Sequence, residues 1–310
     1  MRFALLGALI AVALSVTAAG SGGSAREAAV PAKIVFVNVD QGDGVVMRIG
    51  GKIIVSDTGE YRLDVLQDTL RSLKAKRIDV LILTHPHQDH VKNAVALLER
   101  WDVDLAVLSR SQWWQGTATN RAVTKALEAE PNMELLYAKF GDRFDWGGAA
   151  WTFLNPREGD FIGGSAESAN VSLVYLLNVN GVSALFSGDI ERNQAKRVAA
   201  ILEPEVGDRP VDIFLATHHG SKEGSIKELL DVIRPRWAVL STGQNGFGHP
   251  AQEAIQRLQG EGASIWCTAV NGSVTARISA AGSLSWRASL QPAPWWSVKA
   301  KVKTGSCLGR

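Results

Sequence analysis

A run of four candidate metal ligands directly after an apolar segment is the feature that most constrains this chain. Residues 78–83 are apolar apart from Asp79, which predicts a buried β-strand. The sequence then continues Thr-His-Pro-His-Gln-Asp-His, with His85, His87, Asp89 and His90 as candidate ligands. An extended turn can aim the first two histidines at one ion, and the adjacent Asp-His pair can face a second ion. Imidazole with carboxylate suits zinc, with manganese or iron as competitors.

Further residues of the same chemical types follow two other predicted strands. All six histidines of the chain lie in three short motifs, and the other three are His218, His219 and His249. Asp189 follows a strand and a glycine, so one carboxylate is placed where it can bridge two ions. Taken alone, Asp189 is also suited to cap the next helix, and the histidines to structural hydrogen bonds. Three strand ends carrying such residues together favour a metal site, because layered folds place their sites there.

The rest of the chain has two halves of similar style. Each half opens with a hairpin, with turns predicted at residues 50–51 and 180–181, and continues as alternating apolar strands and amphipathic helices. This order predicts two sheets with helices on their outer faces. We place this domain at residues 33–288. The formal net charge of +2 excludes the overall basic field of a dedicated nucleic-acid-binding protein.

The two ends of the chain differ from the domain between them. Residues 1–19 combine Arg2, an apolar stretch and small residues, which predicts a secretory signal peptide, with an uncleaved membrane anchor as the alternative. Cleavage would leave no stable membrane insertion. Residues 20–32 are then a linker, and residues 289–310 a basic tail. The two cysteines, Cys267 and Cys307, can pair after export, but the sequence does not decide between a disulfide and free thiols.

Seven short motifs, in this order and spacing, resemble the metallo-β-lactamase superfamily. In particular, they resemble the C-terminal metallo-β-lactamase-like domain of the ComEC competence proteins and its free-standing relatives. The matching segments are residues 39–43, 57–59, 84–90, 170–174, 187–190, 218–221 and 248–250. The resemblance covers about residues 33–287. It implies an α/β (α+β) fold, the four-layer αββα sandwich, with the site at one edge.

The resemblance also implies a centre of two zinc ions, with manganese as an alternative. The implied ligands are His85, His87, Asp89, His90, Asp189, His218 and His219. His85 and His87 would hold the first ion, Asp89 and His90 the second, and Asp189 both. His218 would complete the second ion, or His219 in its place. Asp57 would steer the ligand loop.

One departure from the superfamily pattern concerns the first ion. Most members place a third histidine between the first cluster and the Gly-Asp motif, but no histidine lies between His90 and His218 here. Asn170 and Ser172 match an asparagine-containing motif of the ComEC-like branch in that region. The first ion would then be held more weakly or completed by water.

These residues predict an exported hydrolase acting on phosphodiesters or nucleic acid. Two ions would activate a water for attack, with Asp89 beside it. His249 would donate a proton to the leaving group or bind phosphate, and Ser221 would add a hydrogen bond. One alternative is a hydrolase of another ester, amide or lactam, although Asp189 argues against a true β-lactamase. The other is a DNA- or wall-binding module with a metal-stabilised fold and little catalysis.

Overall fold

The computed structural model describes residues 29–160 and 169–290 of the 310-residue chain. The predicted signal peptide, most of the predicted linker, nearly all of the basic tail and Cys307 lie outside the described residues. The first strand begins at Ala32, one residue before the predicted start of the domain, and Ala32 pairs with Ile49 and Ile278 in a sheet.

The first sheet has eight strands. They are β1 (Ala32–Phe36), β2 (Gly44–Ile49), β3 (Lys52–Thr58), β4 (Ile78–Leu83), β5 (Val103–Ser109), β6 (Glu134–Ala138), β14 (Val274–Ile278) and β15 (Leu284–Ala288). Their order across the sheet is β15-β14-β1-β2-β3-β4-β5-β6. The pairs from β3 to β6 are parallel and all others are antiparallel.

The second sheet has seven strands. They are β7 (Arg143–Asp145), β8 (Ala150–Asn155), β9 (Val174–Val179), β10 (Val182–Phe186), β11 (Ile213–Leu215), β12 (Trp237–Leu240) and β13 (Ser264–Cys267). Their order is β13-β12-β11-β10-β9-β8-β7, with parallel pairs from β10 to β13. The predicted hairpin turns lie between β2 and β3 and between β9 and β10.

Helices cover the outer faces of both sheets. They are α1 (Leu63–Ser72), α2 (Gln88–Val91), α3 (Ala94–Leu98), α4 (Ala118–Ala129), α5 (Arg192–Val206), α6 (Lys227–Ile233), α7 (Gln252–Gly260) and α8 (Thr268–Asn271). Short 3-10 turns occupy Gln112–Gln115, Ala169–Val171 and Thr217–Gly220. No helix in the described ranges is long and apolar enough to cross a bilayer.

Three apolar clusters separate the layers. The central one lies between the sheets and includes Phe36, Trp151, Tyr175 and Phe186. The other two lie between each sheet and its helices, where α1 buries Leu66 and Leu70 against the first sheet, as expected for residues four apart on one helix face. The layers therefore run helix, sheet, sheet, helix, and the predicted αββα sandwich is confirmed.

Candidate metal centre

The strands β4, β10 and β11 end at one edge of the sandwich, and the predicted ligands follow them there. Two groups of side chains place all their ligand atoms within 4.8 Å of one another. The first cluster is His85, His87 and Asp189. The second cluster is Asp43, His90, Asp189 and His219. Asp189 belongs to both.

The Asp189 carboxylate lies between the two clusters. Its Oδ1 lies 3.2 Å from Nε2 of His90, and its Oδ2 lies 3.6 Å from Nε2 of both His85 and His219. The carboxylate is 1% exposed. Among the described side chains, the Nε2 atoms of both histidines and Oδ1 of Asp189 are buried without a hydrogen-bond partner. Such atoms cost roughly 1–3 kcal/mol each when unsatisfied, so their convergence fits a bound cation.

A tight loop holds Asp189 in place. Gly188 precedes it at φ 49°, and a Cβ at this glycine would lie 2.7 Å from Cβ of Ser172. The Ser172 hydroxyl accepts the N–H of Asp189 at 3.1 Å. Asn170 Oδ1 accepts the N–H of Glu191, also at 3.1 Å. The asparagine-containing motif therefore shapes the loop that carries Asp189.

Asp57 orients His90 directly. Its Oδ2 accepts Nδ1–H of His90 at 2.8 Å, and Thr84 donates to it twice, from its N–H to Oδ1 at 2.8 Å and from its hydroxyl to Oδ2 at 2.7 Å. An ionised carboxylate only accepts, so Nδ1 keeps its proton and Nε2, on the side of Asp189, is the ring atom left to bind an ion. Asp57 thus lies where the resemblance places a residue that steers the ligand loop.

The same carboxylate orients His85 through Thr84. The Thr84 hydroxyl gives its proton to Asp57, so it accepts Nδ1–H of His85, 3.1 Å away. The Nε2 atom of His85 is then unprotonated on the side of Asp189. One buried carboxylate therefore fixes a ring in each cluster.

Asp43 belongs to the second cluster, although the sequence analysis did not name it as a site residue. Its Oδ1 lies 3.4 Å from Nδ1 of His219, whose Nε2 lies 3.1 Å from Oδ2 of Asp89. Asp43 therefore sits behind the ring, as Asp57 does behind His90, and we assign it the same supporting role. The sequence feature that could have identified Asp43 is its position in the matched segment 39–43. In that segment Gly42 lets the backbone approach Asp89 closely, since a Cβ at Gly42 would lie 2.0 Å from the Asp89 carbonyl oxygen.

The adjacent histidines 218 and 219 have different surroundings. His219 is buried within the second cluster, whereas the His218 side chain is 24% exposed. The His218 Nε2 atom lies 3.6 Å from Oδ2 of Asp189, and its Nδ1 lies 3.4 Å from Glu191. Both have left-handed backbones, at φ 50° and 55°, which cost of order 1–3 kcal/mol each. The geometry favours His219 as the ligand on the second ion.

The charges of the two clusters differ. Burial lowers the pKa of His90 and His219, but Asp189, with Asp57 and Asp43 respectively, outweighs it, so both pKa values lie well above the usual value. Burial, with His90 and His87 nearby, holds the pKa of His85 well below its usual value. The neighbouring histidines hold the pKa of Asp189 well below its ordinary value despite burial. Without metal, the His90 and His219 rings of the second cluster are therefore protonated and positively charged, and the His85 ring is neutral.

A cavity of about 980 Å³ opens above the clusters. Its lining includes His87, Asp89, His218 and His249, with the exposed Tyr61 and Phe247 among the other lining residues. The His249 ring centroid lies 4.9 Å from that of His218. Burial, then His218 and His219, lowers the pKa of His249 to about 4.

Ser221 lies apart from the ligand clusters. It lines an adjoining hollow together with Lys222 and His249. Its hydroxyl accepts the N–H of Glu223 at 3.2 Å, and its own N–H donates to the His218 carbonyl at 2.8 Å. These contacts stabilise the turn after the paired histidines, and Ser221 lines this adjoining hollow and not the cavity above the clusters.

Comparison with known sequences agrees with this geometry. The sequence pattern of the Metallo-beta-lactamase superfamily matches residues 37–244. The chain belongs to the metallo-beta-lactamase superfamily. Membership and the two clusters together support a metal-dependent hydrolase with a candidate two-metal site.

The chain is also similar to curated competence and recombination proteins. It is 29% identical over 216 residues to ComE operon protein 3 of Bacillus subtilis (strain 168), covering 69% of this chain and 26% of the relative. It is 26% identical over 247 residues to Recombination protein 2 of Haemophilus influenzae, covering 77% and 28%. The chain thus spans about a quarter of the length of these relatives.

A solved structure shows the same fold. The metallo-beta-lactamase fold protein YhfI from Bacillus subtilis superposes with a TM-score of 0.54 at 11% identity, covering 80% of this chain and 99% of YhfI. The predicted superfamily and its ComEC-like branch are confirmed by these matches together with the curated relatives.

Proposed function

We propose that this protein hydrolyses phosphodiesters, with nucleic acid as the natural substrate class, at a centre of two divalent ions. Zinc is the proposed metal and manganese the alternative. The observation that carries the proposal is Asp189, whose carboxylate lies between the two histidine clusters and within 3.6 Å of a ring nitrogen in each. Two ions about 3.5–4 Å apart are the arrangement that suits phosphodiester hydrolysis.

When bound, such ions stabilise the oxygen that gains charge and lower the pKa of a coordinated water. The remaining work falls to the chain. Asp57 and Asp43 hold the rings of His90 and His219 in one orientation, which limits the rearrangement needed during the reaction. Asp89 faces the cavity beside His219 and is placed to accept a hydrogen bond from the attacking water.

His249 is proposed to bind the phosphoryl group. Its lowered pKa, about 4, leaves the ring neutral near pH 7. A neutral imidazole donates one N–H hydrogen bond but is a poor proton donor. Of the two predicted roles for His249, the structure therefore supports hydrogen bonding to a phosphoryl oxygen over protonation of the leaving group.

Two further observations support a nucleic-acid substrate. Tyr61 and Phe247 line the cavity and are 48% and 75% exposed, and exposed aromatic rings suit stacking on bases. The curated relatives carry the names Recombination protein 2 and Competence protein ComA. We also propose export, which rests on the signal-like pattern of residues 1–19.

Asp189→Ala tests the proposal. The full chain is assayed with zinc or manganese on a chromogenic phosphodiester, on single-stranded DNA, and on a carboxylic ester and a β-lactam for comparison, beside the variant and the exposed control Asp231→Ala. We expect metal-dependent turnover that falls at least 100-fold in Asp189→Ala and stays within twofold in the control. Two bound equivalents of metal with turnover only on esters or lactams would overturn the substrate class. Bound metal with no turnover on any substrate would favour the binding-module alternative.

A further inference from the structure

A row of basic side chains crosses the outer face of the first sheet, away from the metal centre. In the strand register Lys33 of β1 lies opposite both Arg48 of β2 and Arg277 of β14. Their sequence neighbours Ile34, Met47 and Ala276 point into the central core, so the three basic side chains share the outer face. Arg287 of β15, opposite Thr275, adds a fourth cation on that face.

None of these four cations forms an ion pair with a carboxylate in the part of the chain that the structure describes. Arg48 donates to the Leu73 carbonyl at 2.8 Å. Asp68 is the nearby acidic residue, and it pairs with Arg71 at 2.5 Å. Like charges directly opposite one another destabilise a sheet, so the row is an arrangement that a bound anion would stabilise.

The row lies in a groove. Two adjoining hollows, of about 530 and 490 Å³, share Lys33 and Arg277. Thr69 and Ser72 of α1 form one wall of the second hollow, and Ser273 and Arg287 line it from the sheet. The Ser273 hydroxyl accepts the N–H of Asn38, which leaves its own proton to donate. Burial, then Arg277 and Arg287, lowers the pKa of Lys33, as expected where cations crowd together.

The groove is distinct from the metal centre. Strand β1 runs from Lys33 toward the loop that carries Asp40 and Asp43. The residues that line the two hollows do not overlap with those that line the cavity above the clusters. A ligand in this groove therefore contacts neither histidine cluster.

We propose that this groove binds the phosphodiester backbone of single-stranded nucleic acid. Arginine and lysine side chains with nearby hydroxyls are the groups that contact phosphates most often. The second hollow lies between α1 and the sheet, and a single strand, which is narrower and more flexible than a duplex, is the occupant we assign to it. The binding requires no metal and does not depend on the hydrolase proposal.

The test is binding of a fluorescein-labelled 20-nucleotide oligo(dT) to the full chain in EDTA, followed by anisotropy at several salt concentrations. The groove variant combines Lys33→Gln, Arg277→Gln and Arg287→Gln. The control combines Arg143→Gln, Arg192→Gln and Arg236→Gln, cations that pair with Glu205, Glu223 and Asp212. Both variants lose the same net charge. A third protein, with Lys33→Arg, Arg277→Lys and Arg287→Lys, keeps the charge, and thermal melting checks that all fold.

We expect the groove variant to bind at least tenfold more weakly and to lower the logarithmic salt slope by about 2, since each lost contact removes about 0.7. The control and the charge-keeping variant should bind within threefold of the parent protein. Equal losses of oligo(dT) affinity in the groove and control variants would overturn the proposal. Binding to a DNA duplex and to phosphatidylglycerol vesicles is measured in the same way. Tighter binding of the parent protein to the duplex than to oligo(dT), or a groove variant that loses more affinity for the vesicles than for oligo(dT), would also overturn it. Hydrolysis of the small chromogenic phosphodiester reports on the metal centre alone, so the two proposals fail separately.

Discussion

The two histidine clusters on either side of Asp189 are built differently. In the second cluster each ring has a buried carboxylate behind it, Asp57 for His90 and Asp43 for His219. In the first cluster His85 reaches Asp57 only through the Thr84 hydroxyl, and His87 lies in the wall of the cavity. Carboxylates behind histidine ligands fix ring orientation and raise ligand basicity. The difference indicates that the second position is preformed and that the first adapts to its ion.

The clusters also differ in how they balance charge. Without metal, Asp189 and its neighbours favour protonated rings at His90 and His219, whereas burial favours neutral His85. A metal must displace protons from the second cluster but finds a free lone pair in the first. We expect four experimental consequences of these differences in ring support and charge, given from the largest effect to the smallest.

The affinity of the second ion should depend strongly on pH. Imidazoles with a raised pKa are protonated at neutral pH, so affinity rises with pH toward that pKa and levels off above it. Two displaced protons correspond to about a 100-fold change per pH unit, whereas His85, whose pKa is lowered, has no proton to release to the first ion. Calorimetric titration between pH 6 and 8, in buffers of different ionisation enthalpy, measures the protons released. Equal release at both positions would contradict the comparison.

Asp57→Asn should weaken both positions, and the second more than the first. The amide no longer holds Nδ1–H of His90 with a negative charge, and it disturbs the hydrogen bond that the Thr84 hydroxyl accepts from His85. We expect a loss of roughly 10–100-fold in affinity at the second position. Competition with a coloured zinc chelator measures both constants. The control is Asp79→Asn, because Asp79 is partly exposed and lies at the end of β4 opposite to the ligand loop. This substitution should change neither metal affinity.

Asp43→Asn should weaken the second position alone, by about tenfold. The Asp43 carboxylate lies behind His219 and has no contact with the first cluster's histidines in the described structure. The same chelator competition applies. A matching loss at the first position would show that the clusters are not supported separately.

Thr84→Val should have the smallest effect, a few-fold loss at the first position. Valine keeps the shape but removes the hydroxyl that accepts Nδ1–H of His85. Its N–H still donates to Asp57, so His90 keeps most of its support. If the variant weakens the second ion more than the first, the relay through Thr84 is wrong.

Much of this centre follows from the sequence because it depends on local order. Ligands that follow apolar strands must gather at a sheet edge, which is how the 84–90 run and Asp189 were predicted. The choice between His218 and His219 was not predictable. It depends on two left-handed residues and on the hydrogen bond from His218 N–H to the Gly188 carbonyl, which lies thirty positions earlier in the chain.

The parts of the fold that the sequence did not predict have similar causes. Strand β6 buries only its last residue, Ala138, and strand β7 has just three residues, so neither carries a pattern long enough to indicate a strand. Residues 88–98 form two short helices, α2 and α3, rather than one. Asn93 lies between them and donates to the carbonyls of Thr58 and Tyr61. The basic groove likewise joins residues more than two hundred positions apart, through strand register alone.

The most direct test of the account is a crystal structure of the zinc-loaded protein, with anomalous data collected at the zinc edge. The account predicts two peaks roughly 3.5–4 Å apart, both touching Asp189, one beside His85 and His87 and the other beside His90 and His219. A single peak, or a second ion held by His218 with His219 left unbound, would contradict it.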